Sequence, residues 1–362
     1  VVGIVLEPLP MGAVAVCSIV AATLTGTLAV SDALSGFGNR VIWLVLSAFF
    51  IARGFIKTGL GARIASGFVR RLGRRSLGLG YAMVATDLVL APAIPSNTAR
   101  AGAVVFPIVR SVAEAFDSRP HDGTARRMGG FVVQCAFHGN LIASAMFLTA
   151  MAANPLAAKM AADQGIHVTW SSWALAASVP GICSVLAVPW VLYRLYPPEI
   201  RETPEAAALA ERKLVEMGPM SRSEKILLGT FVLLIAMWIG GSRLGVHSTV
   251  TALTGLAALL LTNVLTWEDV VRERSAWNVF IWLSTLVMLA SFLSKYGLIR
   301  WFSQIVGSWF SGLSWLSAFV GLTLVYFYSH YFFASNTAHV SGMYAAFLAV
   351  AVAVGAPPLL AA

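Results

Sequence analysis

"PSNTAR", residues 95–100, lies between two long apolar stretches, and "ASNTAH", residues 334–339, lies in a similar setting. Each contains the polar triplet Ser-Asn-Thr in a stretch of chain that is otherwise poor in polar groups. Two prolines accompany the first triplet, and proline interrupts a helix. Because a polar, helix-breaking tip is tolerated at membrane depth only inside protein or beside a water-filled cavity, these stretches predict re-entrant helical hairpins at 76–116 and 313–352.

The composition excludes a soluble protein. The chain has 362 residues, of which 58% are hydrophobic and 11% are charged. A soluble domain carries about 25% charged residues. Runs of about 20 apolar residues recur, as helices that cross a bilayer require, and no alternating barrel pattern is present. The sequence therefore predicts an all-α polytopic membrane protein with a single membrane transporter domain at residues 1–362.

The net charge of +9 arises largely from basic residues in short loops, where the positive-inside rule places them, so we expect no nucleic-acid partner. Cys17, Cys135 and Cys183 lie in apolar segments without metal-ligand spacing and predict no disulfide. "VVGIVLEPLP", residues 1–10, lacks the features of a signal peptide and is typical of the tail of an earlier span.

Hydropathy predicts the remaining elements. We expect spans at 11–30, 40–57, 129–152 (interrupted at "HGN", 138–140), 170–196, 223–241, 247–265 and 279–296. We expect amphipathic or interfacial segments at 60–74, 266–278 and 298–312, and loops at 117–128, 153–169 and 197–222.

Loop charge sets the predicted orientation. Lys and Arg number six in 57–75, three in 117–128 and five in 197–225, whereas 153–169 contains only Lys159. The basic loops are therefore expected in the cytoplasm. The first hairpin then enters from the cytoplasm and the second from outside, so that the two are expected to point at each other.

The chain also contains an internal repeat. A shift of 239 residues places Asn97 on Asn336, and it places "NRVIW" (39–43) on "NVFIW" (278–282). We expect inverted repeats, the first at about 11–196 and the second at about 223–362. The second is expected to be incomplete at its C-terminal end, because the counterpart of 129–196 would begin beyond residue 362. Such repeats with re-entrant helices are typical of secondary transporters.

The chemistry of the tips favours an anionic ligand. A helix N-terminus offers free N–H groups, and Ser, Thr and Asn side chains donate further hydrogen bonds. Two such tips match an elongated anion with a carboxylate at each end. The same oxygens could instead bind a small hard cation, or the triplets could only cap their helices.

The paired triplets resemble those of the divalent anion/sodium symporter family, the di- and tricarboxylate transporters. The neighbouring stretches "EPLPMGAVAV" (7–16), "VIWLVLSAFFIARGFIKTGLG" (41–61), "DLVLAPAIPSNTARAG" (87–102) and "SAMFLTAMAANPLAAK" (144–159) are most similar to its 2-oxoglutarate/malate and citrate/succinate exchanger branch. The resemblance covers essentially the whole chain. It implies an elevator-type transporter, a homodimer in the lipid bilayer, and a bacterial inner or plasma membrane or a plastid inner envelope.

The resemblance also implies the site residues. The family's triplets bind the substrate carboxylates, which here means Ser96, Asn97 and Thr98 with Ser335, Asn336 and Thr337. Within the span that follows the first hairpin, Ser144 and Thr149 are expected at the site and Asn140 in helix packing. If the transporter is sodium-coupled, Ser96, Asn97 and Asn336 would contact the ion. We otherwise expect no metal and no cofactor.

Arg100 and His339 depart from the family pattern, because sodium-coupled members carry small uncharged residues at these two positions. We expect Arg100, and His339 when protonated, to bind substrate as counter-charges that replace sodium, which predicts obligate exchange of dicarboxylates. Alternatively, Arg100 pairs with a nearby carboxylate while sodium still binds, or His339 is a neutral hydrogen-bonding residue. Asp87 and Arg53 are expected within the membrane as an ion pair, with proton coupling through Asp87 as another possibility.

Other functions fit less well. His138, Asp87 and Ser96 do not form a recognisable hydrolase motif, so we expect no enzyme. Opposed hairpins could also build a channel. Among transporters, sodium-coupled symport is the alternative to exchange, and sulfate is an alternative to malate, 2-oxoglutarate, succinate or citrate.

Overall fold

The computed structural model describes residues 9–310, 312–333 and 335–362, leaving aside the side chains of 242–244. The stretch 1–8, expected to be the tail of an earlier span, and Ala334 of the second motif lie outside the described residues. The described chain is 78% helical and contains no strand. The all-α prediction is therefore confirmed.

We number the helices in chain order. They are α1 Met11–Leu24, α2 Val30–Ala33, α3 Arg40–Thr58, α4 Leu60–Leu72, α5 Ser76–Leu90, α6 Asn97–Arg100, α7 Phe106–Ala115, α8 Gly129–Met146, α9 Ala153–Asp163, α10 Trp170–Leu195, α11 Pro204–Glu216, α12 Arg222–Leu244, α13 Ser248–Leu261, α14 Trp267–Arg272, α15 Arg274–Lys295, α16 Leu298–Trp309, α17 Trp315–Ser329, α18 Asn336–His339, α19 Ala345–Ala353 and α20 Pro358–Ala361. A π-helical turn joins α6 to α7, and another joins α18 to α19.

Several helices have the length that a bilayer requires. Within the described residues, five stretches are long and apolar enough to cross a membrane: Arg40–Thr58, Trp170–Leu195, Arg222–Gly241, Arg274–Lys295 and Asn336–Ala353. The first four coincide with predicted spans. Shorter apolar helices lie at Met11–Leu24, Ser76–Leu90 and Ser248–Leu261. This pattern is consistent with a membrane transporter.

Three local predictions are wrong. The helix α8 runs without a break through "HGN". Gly139 lies in its packed face, where an added Cβ would come within 2.8 Å of Val84, so this glycine serves close packing and not a break. The expected loop at 153–169 contains α9. The expected loop at 197–222 contains α11, whose alanines Ala206 and Ala210 are buried against other helices.

The chain forms two compact units. Unit 1 comprises Val1–Leu46, Ala152–Thr169 and Arg274–Ala362, of which 1–8, 311 and 334 are not described, and unit 2 comprises Ser47–Met151 and Trp170–Glu273. In unit 2, α8 packs against α5 and α10, and α4 packs against α11. In unit 1, α16 packs against α19, and α15 packs against α1.

The two hairpin segments have the same helix boundaries at a constant spacing. Helix α17 begins and ends 239 residues after α5, and α18 begins and ends 239 residues after α6. The π-helical turns Ala101–Val105 and Val340–Tyr344 keep the same spacing. Helices α4 and α16 each follow a glycine in the left-handed region, Gly59 (φ 80°) and Gly297 (φ 83°), where other residues are disfavoured. The two segments therefore share the same local backbone structure.

An ion pair ties α3 to α14 within unit 2. Lys57 donates to Asp269 Oδ2 at 2.5 Å, and the backbone N–H and hydroxyl of Thr266 donate to the same oxygen, each at 2.8 Å. Burial acts to raise the pKa of Asp269, but these hydrogen bonds and the charge of Lys57 outweigh it and lower the pKa from 3.8 to about 2. A carboxylate with a lowered pKa stabilises the fold above the pKa of the unfolded state, and that stability is lost as the pH falls toward 2.

We therefore expect Asp269→Asn to lower the melting temperature at neutral pH and to flatten its decline between about pH 4 and pH 2. The measurement is thermal unfolding of the purified protein as a function of pH. Glu268→Gln is the matched control, because Glu268 is an exposed neighbour that pairs with Arg272. Equal effects of both substitutions would contradict the assignment.

Candidate functional site

The first tip, residues 91–100, both caps a helix and presents polar groups. Ser96 is the N-cap of α6, and its Oγ accepts a hydrogen bond from the Ala99 N–H at 3.1 Å. The Asn97 side-chain oxygen accepts one from the Thr98 N–H at 3.0 Å. Ser96 and Asn97 are half-buried, and Thr98 is exposed. Capping is thus one role of this triplet, and the Thr98 side chain is open to a ligand.

The second tip, residues 330–339, has the same helix start but a different capping arrangement. Ser335 is the N-cap of α18, yet no side-chain capping bond forms there among the described residues. Ser335, Asn336 and Thr337 are all half-buried. The second triplet therefore lacks the capping bond that the Ser96 oxygen accepts in the first.

Arg100 lies beneath the first tip and is completely buried, with 0% of its surface exposed. Its Nε donates to Asp87 Oδ1 at 2.5 Å, and its Nη2 donates to Ser144 Oγ at 2.6 Å. Its Nη1 donates to two backbone carbonyls, those of Ile94 at 2.7 Å and Ala150 at 3.0 Å. The guanidinium thus joins α5, the tip, α8 and the connection after α8.

The partners of Arg100 decide between two predictions. The expected ion pair between Asp87 and Arg53 is wrong, because Asp87 pairs with Arg100. The alternative that Arg100 pairs with a nearby carboxylate is confirmed on this point. Since its charge is matched by Asp87 and its surface is covered, Arg100 is an internal cation of the tip in this structure and not an open counter-charge.

Helix α8 supplies the residues that hold the first tip. Ser144 accepts from Arg100, and Thr149, just beyond the helix, donates to the Pro92 carbonyl at 2.8 Å. The Thr149 hydroxyl also accepts from the Trp170 indole at 3.1 Å. Both hydroxyl residues are buried to about 1% exposure, so the structure places them under the tip.

Asn140 is a tip residue that the sequence interpretation assigned to packing. Its side-chain amide donates to the backbone carbonyl of Asn97 at 3.2 Å and lies beside the carboxylate of Asp87. It is 7% exposed. The only signal in the sequence was its polarity within an apolar span, which small-residue packing explains equally well.

His339 lies in an aromatic enclosure built by its own hairpin segment. Its Nε2 is 2.9 Å from Ser329 Oγ, and its ring stacks on Tyr326 with ring centroids 4.2 Å apart. The rings of Phe333 and His330 lie at 5.0 Å and 5.1 Å. At 5% exposure, His339 is covered much as Arg100 is.

The two tips place paired side chains at equivalent positions. Asp87 and Arg100 in the first segment correspond, at the 239-residue spacing, to Tyr326 and His339 in the second. In both, the residue on the first arm contacts the fourth residue of the tip helix. One tip is held by an ion pair and the other by stacked rings.

Comparison with known proteins places this architecture in a family. Residues 1–362 match the family described as the sodium:sulfate symporter transmembrane region. The chain is 56% identical, over all of its length, to the "Putative malate transporter YflS" of Bacillus subtilis (strain 168). It is 49% identical to the chloroplastic dicarboxylate transporter 1 of Spinacia oleracea and 36% identical to the L-tartrate/succinate antiporter of Escherichia coli (strain K12).

These proteins are transporters and not enzymes. The matches cover 100%, 100% and 99% of this chain, and they span 76%, 64% and 77% of the relatives, respectively. The plant relative is therefore about half as long again as this chain. Since the family match extends from the first residue to the last, this chain belongs to the divalent anion:sodium symporter family of membrane transporters.

Proposed function

We propose that the protein exchanges dicarboxylates across a membrane without using a sodium gradient. The observation that carries the proposal is the buried guanidinium of Arg100 beneath the first tip, and we infer that it replaces a bound cation there. The substrates are of the malate, 2-oxoglutarate, succinate or citrate type.

The substrate class rests on the tips and on the relatives. Hydroxyl, amide and backbone N–H donors suit carboxylate oxygens, and both triplets contain all three. The names of the relatives specify malate, dicarboxylates, and tartrate with succinate. We infer that Ser96, Asn97 and Thr98 bind a substrate carboxylate and that Ser335, Asn336 and Thr337 also bind a substrate carboxylate.

Independence from sodium rests on the partners of Arg100. These are a carboxylate, a hydroxyl and two backbone carbonyls. Carboxylate, carbonyl and other oxygen ligands are those that a hard cation prefers. Arg100 contacts these four oxygens in this structure. We infer that the tip needs no ion to keep its shape and that the substrate gradient is the driving force.

The ion pair changes how exchange would arise. The Asp87 carboxylate balances Arg100, so the first tip carries no net charge that a dianion must neutralise. We infer that reorientation instead depends on filling the tips with substrate, which replaces the hydration of their exposed donors. His339 adds a cation at the second tip only when its imidazole is protonated.

The transport mechanism is part of the proposal. Matching helix boundaries at a spacing of 239 residues support two repeats, and the distribution of basic loops supports their inversion. Re-entrant hairpins, an elevator movement and a homodimer are what the family resemblance implies. Sodium-coupled symport, with sulfate among the substrates, is the second candidate, favoured by the name of the matching family, the sodium:sulfate symporters.

The proposal predicts rapid counterflow of labelled malate into liposomes preloaded with malate, at the same rate with and without sodium. Empty liposomes should take up little malate on an inward sodium gradient. The rate of malate uptake into vesicles preloaded instead with succinate, 2-oxoglutarate, citrate or sulfate would rank these compounds as exchange substrates. Concentrative uptake into empty liposomes driven by sodium would overturn exchange and support symport.

The tips predict a matched pair of substitutions. Thr98→Val and Thr337→Val remove one hydroxyl each at constant shape, and a hydrogen bond to a charged group contributes about 1.5–3 kcal/mol. Each should therefore raise KM for malate by roughly 10-fold to 100-fold. Thr323→Val is the control, because that exposed hydroxyl donates to the Phe319 carbonyl within α17. If KM changes as much in the control, the assignment of Thr98 and Thr337 to substrate binding is wrong.

Arg100→Ala tests the internal cation. The change leaves Asp87 buried and uncompensated, which costs about 3–5 kcal/mol, so we expect a lower melting temperature and a loss of sodium-independent exchange. Because four oxygens are released, sodium should partly restore the melting temperature of this variant and not of the wild type. Arg110→Ala is the control, since Arg110 is an exposed arginine on α7 paired with Glu114. An Arg100→Ala protein that is indifferent to sodium would contradict the role given to Arg100.

A further inference from the structure

Seven arginines of unit 2 lie apart from the tips and form what we call the arginine surface. Six of them are exposed and Arg127 is half-buried: Arg70, Arg71, Arg74, Arg75, Arg126, Arg127 and Arg201. They come from three segments that are far apart in the sequence. The positive-inside rule accounts for basic residues in each segment, but it does not require that the segments meet.

Backbone hydrogen bonds bring these segments together. The end of α4 meets the segment 199–203, where the Ser76 N–H donates to the Arg201 carbonyl at 3.0 Å and the Thr203 N–H donates to the Arg74 carbonyl at 2.8 Å. On its other side, the Ile200 N–H donates to the Arg127 carbonyl at 3.1 Å. The segment 199–203 therefore lies between the other two and joins all seven arginines into one surface.

The positive charge of this surface is largely unmatched. Arg75 pairs with Glu202 at 3.5 Å, and both side chains are mostly exposed. Elsewhere in the described chain, none of the other six arginines forms an ion pair, and Glu199 is the remaining carboxylate within the three segments. Exposed guanidinium groups without carboxylate partners bind phosphate oxygens through two parallel hydrogen bonds.

The arginine surface lies next to the end of a long apolar helix whose surface is mostly exposed. Helix α10 ends at Leu195, four residues before the segment 199–203, and only 17% of its most apolar stretch is buried. Near this end Leu195 is 77% exposed and Trp190 is 49% exposed. The next residue, Tyr196, lies under the guanidinium of Arg126 at 5.0 Å. Aromatic side chains at a helix end mark the headgroup level of a bilayer.

We propose that the arginine surface binds the headgroup phosphate of an anionic phospholipid whose acyl chains lie along the exposed face of α10. A soluble phosphate compound would satisfy the arginines equally well. A lipid, however, supplies its phosphate at the headgroup level, which Trp190 and Tyr196 mark at the end of α10. The site is independent of the dicarboxylate function and of either tip.

The test compares lipid retention by the full chain purified in a neutral detergent. Native mass spectrometry would count bound phosphatidylglycerol after exposure to vesicles of phosphatidylcholine mixed with phosphatidylglycerol. We expect Arg70→Gln/Arg71→Gln/Arg74→Gln to weaken retention by about fivefold for each arginine, and on the order of 100-fold in total. The corresponding triple change to Lys keeps the charge but not the paired hydrogen bonds, so it should retain more lipid than the Gln variant and less than the wild type, which separates loss of charge from loss of fold.

The control is Arg212→Gln/Arg222→Gln/Lys225→Gln, which removes three exposed basic residues from the same unit outside the arginine surface. We expect this variant to retain phosphatidylglycerol as the wild type does, and we expect inorganic phosphate not to displace the lipid. Equal loss in both triple variants would mean general attraction to negative membranes and overturn the site. Displacement by inorganic phosphate would assign the surface to soluble anions and overturn the lipid.

Discussion

The first tip depends on the buried ion pair between Arg100 and Asp87. Taking a guanidinium and a carboxylate out of water costs several kcal/mol for each ion, which their attraction offsets only when the remaining hydrogen-bonding groups are also satisfied. Arg100 meets that condition through Ser144 and the carbonyls of Ile94 and Ala150, whereas Asp87 Oδ2 is buried without a hydrogen-bond partner among the described residues. These contacts fix the break between the two arms against the helix that follows. The Ser-Asn-Thr triplet is displayed on a rigid support for this reason.

The long helices were predictable because the bilayer imposes their composition. A helix such as α10 must be apolar over its whole length, and hydropathy detects that directly. Helices α9 and α11 are too short to cross the apolar core of a bilayer, so the composition of each depends on which of its residues pack against other helices. In α11, buried alanines alternate with charged residues on the exposed face, and a count of polar residues reads this pattern as a loop.

The break after α8 shows why the position of an interruption was harder to predict than its existence. Gly139 and Asn140 resemble a break in sequence, but their backbone stays helical and the helix ends at Met146. Beyond that point, the Ala150 carbonyl accepts from Arg100, and Thr149 donates to the tip. Non-helical backbone in an apolar setting needs such partners, and they come from residues about 50 positions earlier in the chain. Only the tertiary structure brings them into reach.

The same limit applies to the site. The triplets and their spacing were visible in the sequence, whereas the partner of Arg100 was not, because Arg53 and Arg100 were both available to Asp87. The repeat now gives that choice a structural reason. Position 87 contacts position 100, as position 326 contacts position 339, although the first pair is charged and the second is a tyrosine stacked on a histidine. A common backbone thus carries two different chemistries. A guanidinium stays charged at any pH at which a protein folds, whereas an imidazole can be neutral, so the first tip keeps a fixed ion pair and the stacked pair of the second tip needs no charge.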